Sequence, residues 1–315
     1  MKVIEFLERA NSTLFSYEII PPKRGGSIQH IFNLVDQLMP YSPPFIDITS
    51  RAAEVYYEQT SNGIIRRHIK RKRPGTIGLC AAIKNRYNIE TVPHLLCRGF
   101  TREETEDALI ELNYLGIHNI LAVTGDDTGR GNPGREDSTR NSYAEELVRQ
   151  IADMNNGIYL EELEDAHPTD FCIGVGGYPE KHIESPNWEM DIQFVVKKIE
   201  AGAHYIVTQM FFDNAPFFKF VERLREKGVT VPIIPGIKIL TRKSHLTSLP
   251  KLFHVQIPEA LARQVLEAPP EDVRKIGIDW ALRQCTELIE ARVPCIHFFI
   301  MQDASGVTEI VSKLL

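Results

Sequence analysis

The stretch Leu14-Phe15-Ser16-Tyr17-Glu18-Ile19-Ile20-Pro21-Pro22 reads as a short strand running into a turn, with one carboxylate in an otherwise mostly apolar run. Beyond it Ile28, Ile31, Phe32, Val35 and Leu38 recur at helical spacing, so the two pieces predict one strand–helix unit. The unit returns along the chain. Further strands are predicted at 45–49, 92–97, 119–124, 171–178, 204–209, 231–236 and 294–300. Helices are predicted through Ile64, Ile65 and Ile69, from Thr101-Arg102-Glu103-Glu104 with its capping-box pattern, from about Tyr143, from Trp188 to Ala201 and from Pro216 to Lys227. Two or more helical pieces follow between Leu246 and Glu290, and a short one ends the chain. Gly116, Gly202 and Gly228 each stop a helix just before a strand, where a left-handed residue is needed.

Eight strands alternating with helices over 315 residues predict an α/β fold, a closed (β/α)8 TIM barrel forming a single domain over 1–315. The piece from Pro74 to Tyr87 breaks the alternation and reads as an extra strand and helix before the third strand, or as an elaborated loop. Extra helices precede the eighth strand.

Composition narrows the partners. With 43% hydrophobic and 25% charged residues the chain reads as an ordinary soluble globular protein, and a net charge of -6 argues against a nucleic-acid surface. The basic run Arg66 to Arg73 reads as a solvated helix end and loop that could also attract an anionic ligand. Five cysteines lie mostly in apolar segments without a CxxC pair or a nearby Cys/His cluster, so buried reduced thiols in a cytoplasmic protein, and no metal site, are expected. Neither a secretory h-region nor an apolar run of about 20 residues is visible, so no membrane association is expected.

In such barrels the chemistry gathers at the carboxyl ends of the strands. Those ends carry Glu18, Asp47 with Thr49, His94, Thr124 with Asp126, Tyr178 and Gln209. Singly each has an ordinary explanation: Glu18 as an edge acid facing water, His94 as a bonded core residue, Asp126 as a turn former. Together they predict a polar ring at one end of the barrel, and hence a site.

The order of Phe15-Ser16-Tyr17-Glu18-Ile19-Ile20-Pro21-Pro22, Pro93-His94-Leu95-Leu96-Cys97, Gly125-Asp126, Gly177-Tyr178-Pro179-Glu180-Lys181-His182, Ala201-Gly202-Ala203, Thr208-Gln209-Met210-Phe211-Phe212-Asp213, Ile234-Pro235-Gly236-Ile237 and His297-Phe298 resembles the methylenetetrahydrofolate reductase family over nearly the whole chain. The resemblance implies FAD at the barrel mouth, NADH or NADPH as hydride donor, a folate substrate using the same flavin face in turn, a methyltetrahydrofolate product that feeds methionine synthesis, and a homo-oligomer. It implies Glu18 as the acid that protonates the departing folate nitrogen, its apolar neighbours keeping that proton available near neutrality. Asp126 would bind the pterin edge and stabilise the cation, and Gln209 would contact folate and nicotinamide in turn.

The same resemblance assigns the cofactor to Thr49, Ala52, His94, Gly125, Asp126, Tyr143, Ala144, Tyr178, His182, Asp191 and Lys198. Asp191 and Lys198 fall on one helix face, suited to a ribose hydroxyl and a pyrophosphate oxygen. The pattern departs from the family at Thr124, where an arginine is common, at Ser50 and Arg51, and at Asp303, where some relatives carry an arginine for the folate tail; Lys243 or the basic run near Arg71 would be the substitutes. Two other readings stand beside this one: a non-catalytic flavin- or folate-binding barrel, and another barrel flavoenzyme akin to proline dehydrogenase. The chain ends soon after the eighth strand, so an S-adenosylmethionine-responsive domain is not expected.

Overall fold

Along β1 (Leu14–Ile19) the side chains alternate: Phe15, Tyr17 and Ile19 pack outward against the helices, while Ser16 and Glu18 turn inward. In the computed structural model, which describes residues 1–50, 54–59, 63–70, 75–125 and 139–315, this alternation is repeated around a closed parallel barrel. Its other staves are β2 (Phe45–Ile48), then, after an antiparallel hairpin of β3 (Glu54–Gln59) and β4 (Ile65–Lys70), β5 (Glu90–Leu96), β6 (Asn119–Val123), β7 (Cys172–Gly177), β8 (Tyr205–Met210), β9 (Ile233–Ile237) and β10 (Cys295–Met301). Hydrogen bonding runs β1-β10-β9-β8-β7-β6-β5-β2, and β2 closes the ring on β1. The fold expected from the sequence is the one observed.

The surrounding helices are α2 (Gln29–Leu38), α3 (Ile77–Tyr87), α4 (Arg102–Tyr114), α5 (Ala144–Asn155), α6 (Trp188–Glu200), α7 (Asn214–Glu226), α10 (Val273–Glu290) and α11 (Ser305–Leu314); α1 (Val3–Arg9) precedes them, and α8 (His245–Phe253) and α9 (Glu259–Glu267) are the extra pair before β10. The capping box of α4 is realised, with Glu104 N–H donating to Thr101 Oγ1 at 3.1 Å and Thr101 N–H donating to Glu104 Oε2 at 2.9 Å. Outward strand residues such as Ile46, Ile120, Ile173 and Ile206 join Val35, Leu109, Ile151 and Phe220 of the helices in the main core.

A second apolar cluster fills the lower barrel, where Phe45, Val92, Tyr205 and Ile234 meet Val3 and Leu7 of α1. The sequence reading has no counterpart for this plug. Asn119 fixes it, accepting from Val3 N–H at 2.8 Å and donating to the Met1 carbonyl at 3.0 Å. Glycine makes room inside: a Cβ at Gly174 would lie 2.3 Å from Tyr205 Cζ, and one at Gly236 would lie 2.5 Å from Phe299 Cε2.

Three local expectations are corrected. Ile65 and Ile69 lie on β4 of the hairpin, not on a helix, because β-branched and aromatic residues on both arms favour paired strands over 54–59 and 65–70. The described part of the basic run is therefore strand rather than helix end; residues 71–73 lie outside the described residues. The helix that follows β2 is α3, so the hairpin, not the 77–87 piece, is the elaboration before the third stave. Among the described residues no helix is long and apolar enough to cross a membrane, and all five cysteines are buried and unpaired.

Candidate active site

Toward the carboxyl ends of the staves the barrel interior changes from apolar to charged. Glu18, only 8% exposed, lies beside Asp47 of β2 and Phe299 of β10 in the strand register. Its Oε2 is 3.8 Å from His94 Nε2 and 3.9 Å from His297 Nε2, and His94 Nε2 is also 3.4 Å from Asp47 Oδ2. His297 is oriented from behind by Ser16 Oγ, 2.8 Å from its Nδ1. The apolar surroundings expected for Glu18 are thus replaced by two imidazoles and a second carboxylate. Sequence neighbours on a strand point to the opposite face, so the apolar residues flanking Glu18 pack away from it.

Burial by itself would lower the His94 imidazolium, but the adjoining Asp47 carboxylate and the Glu18 charge outweigh it and hold the group above its ordinary range. Both Asp47 oxygens and the His94 and His297 Nε2 atoms are buried without a hydrogen-bond partner among the described residues. Buried polar atoms are ordinarily hydrogen-bonded, so this cluster of unpartnered donors and acceptors marks the polar centre of the mouth.

Two register shifts shape the rim. The β1–β10 ladder slips between Glu18 and Ile19, and the β8–β9 ladder slips between Val207 and Met210, around Gln209. Bulges of this kind re-aim side chains at a barrel mouth. Gln209 folds its Oε1 onto Met210 N–H at 2.9 Å and lines a cleft with Tyr178, Glu180, His182 and His254.

Lys238, directly after β9, is a member of this site that sequence reasoning missed. Its Nζ donates to the Phe299 carbonyl at 2.7 Å. Burial brings its ammonium down to about 8, against the opposing pull of Glu18 and Asp303. The signal was available, as a lysine one residue beyond Ile234-Pro235-Gly236-Ile237 at a strand's carboxyl end.

Those of the residues expected to hold a cofactor that are described lie at the ends of β2, β5, β6 and β7, at the start of α5 and on α6. Thr49 Oγ1 is buried without a partner among the described residues. Gly125 follows β6 at φ 87°, a left-handed conformation that favours glycine. Tyr143, 67% exposed, precedes α5, whose first residue Ala144 is buried. The Tyr178 and His182 rings meet edge to face at 4.3 Å.

On α6, Asp191 Oδ1 accepts from Ser185 Oγ at 2.6 Å and from His182 N–H at 3.3 Å, while its buried Oδ2 has no partner among the described residues. Lys198, one face along, donates to the Gly176 carbonyl at 2.8 Å, and burial lowers its ammonium to about 8 with Asp191 and Cys97 opposing. A carboxylate oxygen unpaired among the described residues and a lysine that feels its charge suit a ligand that carries both hydroxyls and phosphates, so the arc is compatible with FAD. Ala52 and Asp126 lie outside the described residues.

Asp303, the departure from the family pattern near the folate tail, and Lys243, the substitute expected for the missing arginine, both have other partners. Asp303 accepts from Ser305 N–H at 3.0 Å and from Ser305 Oγ at 2.7 Å at the start of α11. Lys243 Nζ donates to the Leu266 carbonyl at 2.8 Å, tying the rim to α9.

The family model described as "Methylenetetrahydrofolate reductase" matches residues 3–315. Methylenetetrahydrofolate reductase 1 of Schizosaccharomyces pombe is 29% identical over 303 residues, covering 95% of this chain and 45% of the relative, so the chain spans about half the length of that protein. The 5,10-methylenetetrahydrofolate reductase of Escherichia coli is 27% identical over 292 residues, covering 92% of this chain and 86% of its own. Among solved structures, an uncharacterized protein from Clostridium thermocellum that binds two copies of 5-methyl-5,6,7,8-tetrahydrofolic acid superposes with a TM-score of 0.60 at 13% identity, over 99% of this chain and 98% of that one. At that identity the likeness speaks to the fold alone.

Proposed function

The chain belongs to the methylenetetrahydrofolate reductase family, and from that membership we propose that it reduces methylenetetrahydrofolate to methyltetrahydrofolate with FAD as cofactor and NADH or NADPH as hydride donor, feeding methionine synthesis. What carries the reading is the Glu18 carboxyl, enclosed at the barrel mouth between the imidazoles of His94 and His297 at 3.8 and 3.9 Å. A cytoplasmic setting, one catalytic unit over 1–315 and assembly with further copies of the chain belong to the same reading.

Bound FAD would relay hydride from the nicotinamide to the folate. Thr49, Ala52, His94, Gly125, Asp126, Tyr143, Ala144, Tyr178, His182, Asp191 and Lys198 would hold it, Asp191 through its open oxygen to a hydroxyl and Lys198 through its ammonium to a phosphate. For the folate to accept hydride, its bridging methylene must open to an iminium cation as one carbon–nitrogen bond breaks. Glu18 donates the proton that the departing nitrogen requires. His297, steadied by Ser16, and His94, steadied by Asp47, face the carboxylate that this leaves. Asp126 binds the pterin edge and offsets the cation, and Gln209 turns between folate and nicotinamide.

The purified protein should be yellow and should oxidise the nicotinamide with menadione as acceptor. Glu18→Gln should keep that activity and lose folate reduction. A colourless protein that FAD does not reconstitute would defeat the proposal, and an equal fall in both half-reactions would remove Glu18 from the acid role.

A further inference from the structure

Ile237 pairs with Phe298 and Glu18 pairs with Phe299, so Lys238, Phe299 and Glu18 stand at one level on three adjacent staves, β9, β10 and β1. The ladder is irregular at that level, where the β1–β10 register slips just past Glu18. The Phe299 carbonyl there accepts the Lys238 ammonium at 2.7 Å, which fixes the lysine against β10, the stave paired with β1.

The charges that act on Lys238 come from Glu18 on β1, Asp303 beyond β10 and Arg242 after β9, and its own charge helps to hold the neighbouring His245 imidazolium down. Of the two carboxylates, Asp303 is already taken by the backbone and hydroxyl of Ser305. Glu18 has no hydrogen bond of its own among the described residues, and its other near neighbours are the imidazoles of His94 and His297.

We propose that Lys238 is the counter-cation of Glu18, a positioning residue whose ammonium compensates the carboxylate left when Glu18 has given its proton to the substrate. The inference rests on the acid role proposed above for Glu18. In the step, the Glu18 O–H bond breaks and an N–H bond forms on the folate; Lys238 keeps its protons and supplies charge only. Without such a charge, the new carboxylate would depend on the His94 imidazole, which it shares with Asp47, and reversal of the proton transfer would compete with hydride capture.

Two measurements test this. Burial holds the Lys238 ammonium at about 8, so the folate half-reaction should lose rate as pH rises past that value, while nicotinamide oxidation with menadione should not share the limb. Lys238→Met should slow the folate half-reaction on the order of tenfold near neutral pH and abolish the limb. Lys238→Arg should restore the rate and carry the limb to more alkaline pH, because a guanidinium stays charged.

The second measurement needs neither folate nor flavin: the side-chain amine resonance of Lys238 in lysine-labelled protein, assigned by its loss in Lys238→Arg. Since the Glu18 charge supports the ammonium, Glu18→Gln should move its titration midpoint below about 8. A midpoint that stays in place overturns the pairing whatever the protein's substrate proves to be. A Lys238→Met variant that matches the parent in the folate half-reaction overturns it as well.

Discussion

Asp47→Asn changes one buried carboxylate to an amide of the same shape and should alter the pH dependence of stability in a defined direction. Asp47 Oδ2 lies 3.4 Å and Glu18 Oε2 lies 3.8 Å from His94 Nε2. At an effective dielectric of about 20, unit charges at those separations attract by about 5 and about 4 kcal/mol. Stripping water from a buried ion costs several kcal/mol. Two carboxylates therefore outweigh burial at His94, whereas one only roughly balances it.

The sign follows from proton counting. In the parent protein the folded His94 holds its proton above the ordinary imidazole value of 6.5. Its contribution is complete below that value and is lost as pH rises through the higher folded value. In that window the folded chain binds one proton more than the unfolded chain, so stability from this site falls by at most about 1.4 kcal/mol per pH unit. The Asp47→Asn change removes the larger support, and the falling limb should flatten or reverse. Urea denaturation of both proteins across a pH series from mildly acidic to mildly alkaline measures the difference directly, since every group common to the two cancels. Parallel curves through the window would refute the assignment of charge to His94.

Two further outcomes concern packing and the cofactor arc. Gly174→Ala would place a methyl group 2.3 Å from Tyr205 Cζ and should cost about 1–3 kcal/mol in urea denaturation; an unchanged midpoint would mean that the buried ring can turn aside. Lys198→Met should leave the thermal midpoint nearly in place yet weaken flavin retention by about tenfold on ultrafiltration, as expected for one lost charge-assisted contact; equal retention would remove Lys198 from the phosphate side.

Much of the barrel was legible because its signals are local. Strand-length apolar runs, helical spacing and the glycine stops at 116, 202 and 228 each depend on a few neighbouring residues, and they placed every stave of the closed ring. The β3–β4 hairpin was misread because a short run with isoleucines at 64, 65 and 69 satisfies a helical and an extended pattern alike, and pairing with 54–59 decides between them. The α1 plug escaped because seven residues carry too little periodicity to register; its place depends on the hole it fills beneath Phe45 and Val92.

At the site, residue order alone is enough to say which polar groups stand at the carboxyl ends of the staves, since period-two alternation and strand ends are properties of the chain. What each of those groups faces is set by the folded arrangement. Glu18 and His297 come from nearly opposite ends of the chain and meet because β1 bonds to β10, the pairing that joins the first and last staves of the ring. Lys238 enters for the same reason, its ammonium bonding to the carbonyl of Phe299, the β10 residue paired with Glu18. The electrostatics of the barrel mouth are thus a consequence of closure, because charges so distant along the chain interact only once the sheet has curled back on itself.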